Sequence, residues 1–242
     1  MDVLDWSRAM SSLDSALTGR KTSIPHDHVV QFYETDTYLC QAVCRFFADG
    51  INNGSPLLLI ATPEHLRAVK QRLAEIHFDV DEAVNAGRFL ALDARDVLNT
   101  FIEDEQPNPV RFAVNVGGII TRCLKGHANL PVFAYGEMVD VLWREGQFES
   151  AIRLEELWNN LAKVYEFKLF CAYAMDSFYK EKHSKHFERI CKIHSRVLPL
   201  KRPAAQNVDS KAEQIALLQE MTEGFLSSVV ENADDAIVSM TL

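Results

Sequence analysis

The chain has little with which to hold a phosphate. Residues 28–34 (HVVQFYE) read as a first strand and about 36–51 as the helix after it, yet the turn from Phe32 to Thr37 has no glycine and no lysine. In the layout G-x-x-x-x-G-K-[ST], backbone N–H groups and a lysine cradle the anion. Here Glu34 and Asp36 stand at the turn instead. Carboxylates at a helix N-terminus satisfy its dipole and orphan N–H groups themselves, and they repel phosphate. The layout is that of a nucleotide-binding scaffold without its nucleotide chemistry, which points toward sensing rather than catalysis.

Other absences narrow the class further. No window approaches the roughly 18 continuous apolar residues that a membrane span needs, and residues 1–8 (MDVLDWSR) lack the basic start and apolar run of a signal peptide. The five cysteines (Cys40, Cys44, Cys123, Cys171, Cys191) are odd in number and form no C-x-x-C pair, so a reducing cytoplasm is expected rather than a disulfide framework. Cys40 and Cys44 lie one helical turn apart among Leu39, Val43, Phe46 and Phe47, which reads as a pair of buried thiols. A net charge of −9 with no concentrated basic patch argues against nucleic acid and anionic membranes as partners. There is no G-x-S-x-G elbow, no H-E-x-x-H helix and no Cys/His zinc spacing, so no catalytic residue, metal or cofactor is expected.

What is present is a chain of 242 residues in which strands alternate with helices. Strands are predicted at 28–34, 55–61, 88–93, 131–135 and 168–173. Helices are predicted at about 36–51, 63–77, 94–103, 109–125, 138–145, 148–165 and 185–197. Several strands are nearly continuous apolar runs, as burial on both faces requires, so the fold class is α/β with a mostly parallel sheet covered by helices on both faces. Thr62 and Pro63 give the second helix an N-cap and a first-turn proline. Gly117 and Gly118 inside a helix suggest close packing there. Residues 2–18 read as an amphipathic helix and 209–231 as a connector helix, in which Ile215, Leu218, Thr222, Phe225 and Val229 form a short heptad seam suited to a homodimer.

Several segments together resemble one family, the MEDS domain (methanogen/methylotroph DcmR sensory domain), a degenerate relative of KaiC/RecA-type ATPases. They are 28–34 (HVVQFYE), 54–62 (GSPLLLIAT), 87–93 (GRFLALD), 136–143 (GEMVDVLW), 154–159 (LEELWN) and 169–173 (LFCAY), in that order. Residues 225–242 resemble the entry to a PAS domain. The resemblance implies a RecA/KaiC-like sheet, and a parent architecture of sensory domain, connector helix, PAS domain and histidine kinase. On this reading residues 1–25 are an N-terminal helix and linker, 26–180 the sensory domain, 181–230 a helical connector and 231–242 the beginning of a PAS domain.

Ligands of open α/β sheets bind beyond the carboxyl ends of the strands. The exits here offer Tyr33 and Glu34 with His28 further back, then Thr62, Glu137 and Tyr173. Polar groups converging from separate exits and edged by aromatics describe a small-molecule pocket. Glu155, Trp158 and Asn159 fall on one face of the helix 148–165, with Trp143 on the preceding helix. They read either as a lid over the exits or as a docking face of that helix, and the family pattern favours the pocket. His26 and His28 could hold a metal only with a further ligand such as Glu34 or Glu137; a histidine bonded to a buried carboxylate is the simpler reading. His183, His186 and His194 read as surface residues.

The expected function is therefore a non-enzymatic, cytoplasmic sensory module that binds a small, largely apolar molecule and passes the signal through its C-terminal helix. The ligand class implied by the resemblance is hydrocarbon derivatives. A divergent nucleotide-binding ATPase and a ligand-free protein-interaction module are the alternatives.

Overall fold

The computed structural model describes residues 27–127, 129–175 and 184–198. The segments read as an N-terminal helix, a connector helix and a PAS-like entry lie outside the described residues, as do His26 and His183.

Strand β1 (His28–Tyr33) leads into helix α1 (Asp36–Asn52), which Thr35 caps: its Oγ1 accepts from the Tyr38 N–H at 3.3 Å. Then follow β2 (Leu57–Ala61), α2 (Pro63–Glu75), α3 (Val80–Asn85), β3 (Phe89–Asp93) and α4 (Ala94–Asn99). Asp79 caps α3 and Asp93 caps α4 through side-chain oxygens, as short helices need where N–H groups lack an intrahelical partner. A two-stranded hairpin, β4 (Ile102–Glu103) with β5 (Gln106–Pro107), precedes α5 (Pro109–Leu124), which Asn108 caps. The second half comprises β6 (Val132–Gly136), α6 (Met138–Arg144), α7 (Phe148–Leu161), β7 (Phe167–Ala174), α8 (Ser184–Ile193) and β8 (Arg196–Leu198).

The strands form a six-stranded parallel sheet in the order β3-β2-β6-β7-β1-β8. Alternate side chains leave each strand on opposite faces, and two apolar layers result. Leu57, Leu59, Phe133 and Phe170 meet α1, α2 and α3 on one face; Leu58, Ile60, Ala134 and Leu169 meet α4 to α8 on the other. At Gly50 helix α1 comes so close that a Cβ would lie 2.8 Å from Leu57 Cδ2 and 2.9 Å from Phe133 Cγ. In α5 the two glycines differ: a Cβ on Gly117 would meet the Tyr165 hydroxyl at 3.1 Å, whereas Gly118 faces open space.

The α/β class and the sheet covered on both faces agree with the sequence reading, and two local expectations are corrected. The helix predicted to run to about 103 stops at Asn99, and the hairpin follows. Its two turn residues, Asp104 and Glu105, have φ of 49° and 61°, the left-handed pair a tight hairpin turn needs, without the glycine or asparagine that usually signals one. The helix predicted over 185–197 ends at Ile193, and Val29, Val30 and Gln31 of β1 pair with Arg196, Val197 and Leu198. The folded body thus continues beyond residue 180 and includes α8 and β8.

Candidate functional site

Beside α7, one face of the sheet carries polar side chains where a core would ordinarily be apolar. Parallel pairing of β1 with β7 sets Val30 against Cys171 and Phe32 against Tyr173, so His28, Cys171 and Tyr173 share the face that α7 covers. Glu155 and Asn159, one turn apart on α7, reach the same place, and His194 enters from the end of α8. His28, Glu155, Cys171 and His194 are all buried. His28 Nε2 lies 3.3 Å from Glu155 Oε2 and 3.4 Å from Cys171 Sγ. Cys171 Sγ lies 3.4 Å from the same carboxylate oxygen. Tyr173 donates its hydroxyl to Glu155 Oε1 at 2.8 Å, and His194 Nε2 is 3.4 Å from that oxygen.

The histidine tautomers follow from their outer partners. Asn159 Nδ2 donates to the Ile193 carbonyl at 3.0 Å, so Asn159 Oδ1 is the acceptor that His28 Nδ1–H meets at 2.8 Å. His194 Nδ1–H donates to the Ile190 carbonyl at 2.7 Å. Both rings therefore turn Nε2 toward Glu155. Burial, then the neighbouring His194, lower the His28 pKa against the raising influence of Glu155 and Asn159. Burial alone would raise the Glu155 carboxyl, but His194 and then His28 outweigh it and hold it far below the usual carboxylate range. Burial, and then Glu155, push the Cys171 thiol well up.

Two further polar groups stand at the strand exits. Glu137, just after β6, accepts from the Thr62 N–H at 2.9 Å and meets His65 Nδ1 at 2.7 Å, and His65 Nε2 reaches Asp36 at 3.3 Å. The Thr62 hydroxyl turns to Glu137 and does not cap α2. Beside this group, Asp140 accepts from the Tyr33 hydroxyl at 3.0 Å, from Arg144 Nε at 2.8 Å and from the Ala174 N–H at 3.0 Å. Side chains bonded to one another thus occupy the exits of β1, β2 and β6. A surface cleft of about 310 Å³ lies elsewhere, lined by Gln106, Pro107, Pro109, Arg153, Glu156 and Arg189 among others.

A family model matches residues 27–194: MEDS, the methanogen/methylotroph DcmR sensory domain. The chain belongs to the MEDS family. MEDS is a sensory domain in signalling, not a catalytic one. No curated protein matches the sequence. No helix among the described residues of the MEDS domain is long and apolar enough to cross a membrane. The family match ends at His194, so α8 and its buried histidine belong to the domain.

Of the residues named from the sequence, the MEDS fold gathers His28, Glu155, Asn159 and Tyr173 into the buried centre. It places Thr62 with Glu137 in one exit group and Tyr33 in the other, while Glu34 is exposed at the first turn. Trp158 is fully buried against Phe112 and Phe167, and Trp143 packs on Phe148 and Tyr173, so both dock their helices onto the sheet. Sequence reasoning missed Cys171, His65, Asp140 and Arg144, and it read His194 as a surface residue, whereas its side chain has no exposure. Cys171 was findable: it is two residues before Tyr173 on an alternating strand. His194 was not, because only the return of β8 to β1 carries it inward.

Proposed function

We propose that this MEDS domain is the input module of a cytoplasmic signal-transduction protein, a sensor histidine kinase by the family resemblance. In this reading it binds a small, largely apolar molecule and passes the signal through its C-terminal segment. The observation that carries the reading is the grip of the polar centre on residues 193–195. Asn159, which orients His28, also donates to the Ile193 carbonyl. The Ser195 hydroxyl donates to the His28 carbonyl at 2.8 Å and accepts from the His28 N–H at 2.9 Å, and the Ser195 N–H donates to the same carbonyl at 2.9 Å. A change at His28, Glu155 or Asn159 therefore acts directly on the segment that leads toward the heptad seam of residues 215–229.

Phe32 and Trp143 pack on Tyr173 of the centre. Phe32 lies 4.6 Å from Phe187 and Trp143 lies 4.6 Å from Phe148, centroid to centroid. Hydrocarbon derivatives are the ligand class the resemblance implies. The ligand biases the C-terminal segment only by binding one arrangement better than the other. A homodimer through the C-terminal helix would convey that bias. The lack of glycine and lysine in the turn before α1, with Thr35 as the cap, weighs against the nucleotide-binding alternative. The densely bonded strand exits give some support to a ligand-free interaction module.

Thermal unfolding of the chain with Mg-ATP in one series and small halogenated and aliphatic compounds in the other tests the reading. A ligand at 100 times its dissociation constant stabilises by about 2.7 kcal/mol, a shift of a few degrees. A shift with the apolar series alone supports the proposal. A shift with nucleotide alone overturns it in favour of a divergent ATPase, and no shift with either favours the interaction module.

A further inference from the structure

We propose that His28, Glu155, Cys171 and His194 are the four ligands of a buried structural metal site for a zinc-class divalent ion. This assignment stands whether or not the sensory reading holds. The four donor atoms lie within 4.8 Å of one another and come from β1, α7, β7 and the residue after α8.

Geometry is the first argument. Zinc binds imidazole nitrogen at about 2.0–2.1 Å, carboxylate oxygen at about 2.0–2.2 Å and thiolate sulfur at about 2.3 Å, so tetrahedral ligand atoms stand about 3.3–3.7 Å from one another. His28 Nε2, Glu155 Oε2 and Cys171 Sγ form a triangle with edges of 3.3, 3.4 and 3.4 Å. His194 Nε2 stands 3.4 Å from the other oxygen of the same carboxylate. These separations already match one face of a coordination tetrahedron, with a fourth donor beside it.

The outer partners are the second argument. A histidine that binds metal through one nitrogen usually donates the other N–H to a carbonyl or carboxylate, and a ligating carboxylate is itself hydrogen-bonded. His28 donates to Asn159 Oδ1, His194 to the Ile190 carbonyl, and Tyr173 donates to Glu155. Each outer bond leaves the inward donor atom with its lone pair directed to the centre. His194 Nε2 is buried and lies 3.4 Å from Glu155 Oε1. Without a metal, the Cys171 thiol donates to Glu155 and protons serve the imidazole nitrogens; a metal replaces these protons with one ion.

Charge is the third argument. A divalent ion with one carboxylate, one thiolate and two neutral imidazoles is formally neutral, the condition for burial without a large solvation penalty. On binding, the metal–sulfur bond forms as the Cys171 proton leaves to solvent, and the ion supplies the charge that the thiolate otherwise lacks. Four protein ligands leave no open position, which makes the site structural rather than catalytic. Its effect is to pin β8 and the end of α8 to β1, β7 and α7. The sequence conceals the site because its ligands are far apart in the chain and follow no compact Cys/His spacing.

The test uses the full chain, produced in cobalt-supplemented medium and, separately, refolded from denaturant with cobalt chloride. The expected result is one cobalt per chain by elemental analysis, with the intense visible bands of a tetrahedral ion and a thiolate-to-cobalt charge-transfer band. Cys171→Ser is expected to lose the charge-transfer band. Asn159→Leu, which removes only the outer partner of His28, is expected to weaken cobalt binding by about 10–100-fold. A folded chain that takes up no cobalt, or binds it without a thiolate band, overturns the assignment. So does a charge-transfer band that survives in Cys171→Ser.

Discussion

His194 Nε2 and Glu155 Oε1 stand 3.4 Å apart with neither side chain exposed, although one residue lies on α7 and the other beyond α8. The pair ties the last described part of the fold to the sheet. Glu155 also takes the Tyr173 hydroxyl at 2.8 Å and faces Cys171 and His28. Removing one partner from such a buried group costs more than the bond itself, because the others lose their acceptor. Glu155→Ala is expected to destabilise the chain by about 3–5 kcal/mol. Glu155→Gln, which keeps the shape and one acceptor oxygen, is expected to lose about 1–3 kcal/mol. Urea denaturation of the two variants and the wild type checks the order.

His65 gives the fold a pH dependence of known sign. Burial lowers its pKa, but the hydrogen bond and charge of Glu137, with Asp36, outweigh burial and raise it. A histidine whose folded pKa lies above its unfolded value of about 6.5 contributes stability that is complete below that value and is lost as pH rises through the folded pKa. The melting temperature is therefore expected to decline across this window. In His65→Gln the decline is expected to be smaller, because the substituted side chain does not titrate. An equal decline in both proteins would place its origin elsewhere.

Two glycines on helices are expected to respond in opposite ways to alanine. At Gly50 a Cβ meets Leu57 and Phe133 at distances no ordinary contact reaches, so α1 must lift from the sheet. Gly50→Ala is expected to destabilise by about 1–3 kcal/mol as overpacking does. At Gly118 nothing lies within 4 Å, and helix propensity alone acts. Gly118→Ala is expected to stabilise by about 0.5–1 kcal/mol. Thermal or urea unfolding of each variant reads the sign directly.

Much of this fold is legible along the chain. The apolar runs predicted as strands at 55–61 and 168–173 are the buried strands β2 and β7, covered by helices on both faces. The face shared by Glu155 and Asn159 follows from helical spacing, and both reach His28. Trp158 met its sequence pattern but not the lid reading: it lies against Phe112 and Phe167 as a docking side chain. The hairpin at Ile102–Pro107 was hidden because Asp104 and Glu105 adopt left-handed backbone without a marker residue. The inward turn of His194 was hidden because a three-residue edge strand carries too little pattern to announce itself. The remaining members of the exit groups, His65 and Asp140, sit on helices whose spacing marks them only as half-apolar faces, and their partners arrive from other strands.

The central claim is that the buried centre holds residues 190–198 to the sheet, so that a change at the centre is read in that segment. Amide hydrogen exchange on the full chain, comparing wild type with Asn159→Ala, tests it most directly. Faster exchange is expected across residues 190–198, including the Ser195 N–H bonded to the His28 carbonyl, while β2, β3 and β6 keep their protection. Unchanged exchange in that segment, or an equal rise across the whole sheet, would contradict it.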